Sequence, residues 1–140
     1  MSDHKRVIVE SPYAGDIEAN VTYARRCMRD SLLRREAPIL SHLLYTQPGV
    51  LRDEVPEERS HGIDAGLSWG CVAEKTAIYV DRGISGGMKY GIANAKTANR
   101  QVVIRSFSED PESPHFIGNP DALALEIANT VEVDALLGVV

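Results

Sequence analysis

Cysteine is scarce: Cys27 and Cys71 are the two in 140 residues, and both fall inside helix-like patterns. They make neither a disulfide framework nor a metal set, so they read as reduced thiols in a cytoplasmic protein. Neither has a base near it in sequence, which argues against a thiol nucleophile. Long apolar runs are also missing, since no stretch approaches the roughly 20 residues of a membrane span. There is no basic excess. Lys plus Arg total 15 against 20 for Asp plus Glu, a net charge of −5. That balance argues against binding a nucleic-acid polymer through its backbone. The first residues, Met1-Ser2-Asp3-His4-Lys5-Arg6, lack a signal-peptide layout. His4, His42, His61 and His115 are scattered without metal-ligand spacing, so no metal and no cofactor is expected. Walker loops, GxGxxG motifs, internal repeats and low-complexity segments are absent.

What is present is an alternation of short β-branched runs with amphipathic stretches. Val7-Ile8-Val9 reads as a buried strand that enters the loop Ser11-Pro12-Tyr13-Ala14-Gly15. Asp16 can cap a helix whose apolar stripe is Ile17, Val21, Ala24, Met28 and Leu32. That helix should end near Arg35, because Pro38 disfavours helix in the residue before it. Pro38-Ile39-Leu40 leading into Ser41–Tyr45 reads as a second strand and its exit. Residues 46–55 look like a surface loop. Pro56 with Glu57 and Glu58 suits a helix first turn, continued by Ile63, Leu67 and Cys71. Gly62, Gly66 and Gly70 mark a face in close contact, most simply with a sheet. Residues 76–80 form the clearest strand, Ser85 caps a helix to about Asn99, and residues 101–104 form the fourth strand.

Strands alternating with helices imply parallel pairing through right-handed crossovers, hence a three-layer α/β domain. Residues 1–107 make up this ligand-binding domain. Residues 108–140 read as a proline-bearing linker followed by a C-terminal helix, capped at Asn119-Pro120-Asp121, with Leu123, Ile127 and Val131 on one stripe. That tail packs either on its own domain or on a partner subunit. With so small a sheet, a homo-oligomer (a dimer or larger) is expected.

In open parallel sheets ligands bind beyond the carboxyl ends of the strands. Those ends carry Glu10, Ser11, Pro12 and Tyr13; then Ser41, His42 and Tyr45; then Asp81, Gly83, Ser85, Gly86 and Gly87. Topology should bring all three groups to one rim. The turn opening a helix at Ser85-Gly86-Gly87 is either an anion site or an ordinary capped turn. Asp81 is either a hydrogen-bond partner for a sugar hydroxyl or a solvated loop acid. Tyr13 either stacks on or hydrogen-bonds a substrate, or covers the core. His42 is either a polar contact or acid/base group, or a satisfied buried histidine.

Ser11-Pro12-Tyr13, Asn20, Ala24, Pro38 to His42, and Asp81 through Met88 with Gly91 together resemble the nucleoside 2-deoxyribosyltransferase-like superfamily. The match is best to its small phage and bacterial members and covers roughly residues 6 to 105. The resemblance implies a flavodoxin-like (Rossmann-like) fold. It also implies cleavage of the N-glycosidic bond of a nucleoside or nucleoside monophosphate, by hydrolysis or deoxyribosyl transfer. By motif, Tyr13 would position the sugar or the nucleophile and Asp81 would lie near the sugar or base. Ser85, Gly86, Gly87 and Met88 would line the phosphate or sugar side. The sequence departs from the family where its nucleophilic glutamate should stand, two residues before Gly91, because that residue is Lys89. An ammonium cannot form the glycosyl ester. Either another acid serves, Asp81 or Glu10, or the chain is a non-catalytic binder of a nucleotide-derived metabolite. Lys89 itself then either faces solvent or favours an anionic ligand.

Overall fold

The computed structural model describes residues 3–107. The linker and C-terminal helix expected over 108–140 lie outside the described residues. The order is β1 (Lys5–Glu10), α1 (Ile17–Leu33), β2 (Glu36–Ile39), α2 (Ser41–Leu44), α3 (Pro56–Ser68), β3 (Lys75–Tyr79), α4 (Gly86–Thr97) and β4 (Gln101–Arg105), with a 3-10 turn at Trp69–Val72 after α3. The four strands pair in parallel in the order β2-β1-β3-β4. The domain is therefore α/β with a small, all-parallel flavodoxin-like sheet. The direction of strand addition reverses between β1 and β3, which is where such sheets place a ligand.

Strand periodicity divides the core in two. Val7, Val9, Ala77 and Tyr79 face α1 and pack with Tyr23, Ala24 and Cys27. Ile78 and Val80 face α4 and pack with Met88, Ile92 and Ala93. Each buried aliphatic side chain contributes about 1.5–3 kcal/mol. Among the described residues, no helix is long and apolar enough to cross a membrane.

Asp16 caps α1 as its sequence suggests, accepting from the Ala19 amide at 3.2 Å. The helix ends at Leu33 with Arg34 as its C-cap, near the expected Arg35. Arg35 takes the left-handed conformation, with φ 63°, and turns the chain into β2. Pro38 lies inside β2, in the second strand as expected. It is tolerated because β2 is an edge strand and its missing N–H faces no neighbour. Residues 41–44 form a short helix, not the strand exit expected from their sequence. The Gly62, Gly66, Gly70 face does not pack on the sheet. A Cβ on Gly62 would meet Leu51 at 3.2 Å, and one on Gly66 would overlap the Ser41 side chain. At Gly70 the neighbours are Arg100 and Asn94, both at 3.0 Å.

Beneath α1 lies a polar cluster. Glu36 accepts from Arg105 (2.7 Å), Lys75 (2.8 Å) and Ser31 (2.7 Å). Tyr79 donates to Asp30 at 2.6 Å and accepts from Arg105 at 3.0 Å. Burial pushes the Glu36 carboxyl up, but the hydrogen bonds from Arg105, Lys75 and Ser31 outweigh it and hold the group down at about 2.

Candidate functional site

A cleft lies on the other layer, between the sheet, α3 and α4. It holds a cavity of about 160 Å³, room for about one six-membered ring. Its floor comes from β1. Ile8 and Glu10 alternate with the core residues Val7 and Val9, so their side chains face the cleft.

Glu10 is the least conventional group. Its carboxyl rests against Gly91 of α4, where any Cβ would overlap Oε1 and stand 3.0 Å from Oε2. Glycine is required there to admit the side chain. Glu10 has no hydrogen-bond or ion-pair partner among the described residues, yet no fully buried polar atom there is left unsatisfied. Its oxygens therefore open into the cavity. Burial pushes its carboxyl up to about 8, with Arg100 pulling only weakly the other way. At neutral pH it is a proton donor.

Ser11 and His42 form the adjoining wall. Ser11 Oγ and His42 Nε2 share a hydrogen bond of 2.6 Å. Burial pulls the His42 imidazole down to about 4, so it is neutral at physiological pH.

The mouth is the start of α4. Ser85 caps it, accepting from the Met88 amide at 3.3 Å. The first amides, at Gly86 and Gly87, have no intrahelical partner. A guanidinium nitrogen of Arg59 lies 3.8 Å from where a Gly87 Cβ would stand, and Arg59 pairs with Asp53 at 3.3 Å. Helix dipole, free amides and guanidinium together make this end electropositive. The inner end is formed by Asn94 and Arg100. Arg100 donates to Thr76 (2.9 Å), the Gly70 carbonyl (2.9 Å) and Asn94 (2.6 Å).

Of the residues expected at the rim, Glu10, Ser11, Tyr13, His42, Ser85, Gly86, Gly87 and Met88 line this one cavity. Pro12, Tyr45, Asp81, Gly83 and Lys89 are not among its lining residues. Tyr45 instead accepts from Trp69 Nε1 at 2.9 Å. Gly83 serves the turn after β3, with φ 85°. Asp81 is turned to the α1 layer. It accepts from Tyr23 (2.6 Å), Ser106 (2.5 Å) and the Phe107 amide (2.9 Å), and so fastens the end of the sheet. Sequence reasoning missed Asp53, Arg59, Asn94 and Arg100. For Asn94 a signal existed, because Gly87, Gly91 and Asn94 follow helical spacing along one face of α4. Arg100 carries none, since it is a polar residue just before a strand. Among the described residues, no group of acidic, histidine or cysteine side chains could hold a metal ion.

A family model described as a domain of unknown function (DUF7768) matches residues 5–105. No curated protein and no solved structure matches the chain.

Proposed function

The chain belongs to the DUF7768 family, and from the geometry of its cleft we propose that it hydrolyses the N-glycosidic bond of a nucleoside monophosphate. The observation that carries this reading is Glu10, a carboxyl with no partner among the described residues, held protonated in a cavity that runs from the start of α4 to the half-buried Arg100 guanidinium. The phosphate sits on the Gly86 and Gly87 amides beside Arg59, and the sugar lies over Ser11 and Glu10. As the bond from the anomeric carbon to the base nitrogen breaks, its electron pair goes to the base and Glu10 supplies the proton. Water adds to the sugar on the opposite face, and its proton returns to the carboxylate through solvent. General acid assistance of this kind contributes about 10²–10⁴-fold.

This differs from the covalent route that the family resemblance implies. Lys89 does not line the cavity, and the other lining acid, Asp53, is paired with Arg59. With no free carboxylate facing the sugar, hydrolysis is favoured over sugar transfer. The same observation favours a second reading, a binder that holds a nucleotide-derived metabolite without turnover.

Incubation with the common ribo- and deoxyribonucleoside monophosphates, followed by chromatography of free base, separates the two. Base release that declines above about pH 8 and is lost in Glu10→Gln is expected. Binding without release in the wild type establishes the binder, and absence of both binding and release rejects both readings.

A further inference from the structure

The lining residues of α4 form a ruler. Gly87, Gly91 and Asn94 lie on one face, and at 1.5 Å per residue the outer and inner positions are about 10 Å apart. That is comparable to the distance in a pyrimidine nucleotide from phosphorus to the 4-substituent of the ring. The middle position carries Glu10, level with the glycosidic bond. The inner position carries Arg100, held by Asn94.

Arg100 is an incompletely used donor. A guanidinium has five N–H bonds, and its three hydrogen bonds to Thr76, Gly70 and Asn94 leave two. Among the described residues it has no ion-pair partner. Glu10, which lines the same cavity, is not bonded to it. The cavity that both residues line therefore has a cation with spare donors in its wall. A carbonyl oxygen there gains a charge-assisted hydrogen bond. An exocyclic amino group in the same place would set donor against donor and leave both unsatisfied.

Resting on the nucleotide reading above, we propose that the inner end of the cleft selects a 4-oxo pyrimidine, uracil or thymine, over cytosine, with Arg100 as the specificity-determining residue. The same contact steadies the negative charge that the departing base acquires.

Calorimetric titration of the full chain with UMP, dUMP, CMP, dCMP and ribose 5-phosphate tests this. The uracil nucleotides should bind about tenfold or more tightly than their cytosine counterparts. Arg100→Gln should reduce that ratio to about twofold or less while leaving ribose 5-phosphate affinity unchanged. Because Arg100 also ties three segments together, Asn94→Asp gives a second variant. It keeps the 2.6 Å contact but places a carboxylate on the guanidinium, and should likewise erase the preference. Equal affinity for uracil and cytosine nucleotides, or a preference that survives both substitutions, overturns the specificity role and leaves nucleotide binding standing. No binding of any nucleotide or of ribose 5-phosphate overturns the underlying reading as well.

Discussion

Glu36 and Glu10 are carboxyls on the same four-stranded sheet, and they have opposite fates. Glu36 faces α1 and is surrounded by Arg105, Lys75 and Ser31, which hold it ionised down to about 2. Glu10 faces α3 and α4, has no partner among the described residues, and stays protonated up to about 8. One layer is closed and internally satisfied. The other keeps a cavity and, among the described residues, an unpaired carboxyl and a guanidinium with spare donors. The fold concentrates its stabilising polar contacts on the α1 side and leaves the α4 side available for a ligand. This is the separation expected when a functional site carries a local cost in stability.

The largest effect should come from breaking the closed layer. Glu36→Gln removes the buried carboxylate that the partly buried Lys75 and Arg105 share, and should cost about 3 kcal/mol in urea unfolding. Because the folded carboxyl titrates near 2, below the ordinary 4.5, its contribution is present above pH 4.5 and fades as pH falls towards 2. The variant should lack that acid-side slope.

The open layer should behave in the opposite way. Glu10→Gln is expected to stabilise the protein, by about 4 kcal/mol at pH 8, even as it removes activity. The folded carboxyl titrates above its ordinary 4.5. The stability it supplies is therefore complete below pH 4.5 and lost as pH rises to 8, so the two melting curves should coincide at pH 4 and diverge above it. A destabilised Glu10→Gln at pH 8 would abolish the contrast between the layers. The smallest effect should come from Ser11→Ala. It removes one hydrogen bond to His42 and should cost about 1 kcal/mol in the same unfolding measurement.

Much of this architecture is legible in the sequence. The alternation of short apolar runs with helical stripes gives the parallel α/β fold, and Asp16 and Ser85 mark their helix starts by capping chemistry alone. Pro38 is read correctly as part of the second strand, but why it is tolerated there, on an edge where its missing N–H is not needed, is a tertiary property. Convergence of the strand ends is likewise a rule of topology, and it groups Glu10, Ser11, His42 and Ser85 with no motif behind it. The same rule fails for Asp81. Strand ends point to both layers, and the Tyr23, Ser106 and Phe107 contacts that claim Asp81 are long-range. Arg59 and Arg100 stay hidden for a related reason, whereas Asn94 shares the helical spacing of Gly87 and Gly91. The roles of the two arginines depend on how α3, α4 and the start of β4 come together, which no local pattern specifies.

Phe107 also matters for where this chain can be divided. Its ring stacks on Tyr79 at 5.6 Å, meets Tyr23 edge-on at 6.0 Å, and lies under the Arg26 guanidinium at 3.9 Å. Its amide and the Ser106 hydroxyl both hold Asp81. The last strand ends at Arg105, but the packing of the α1 layer extends at least two residues further, to a clasp made by Ser106 and Phe107. A fragment cut at the strand boundary would lose that clasp and unseal the aromatic core, whereas one cut after Phe107 would carry its own seal.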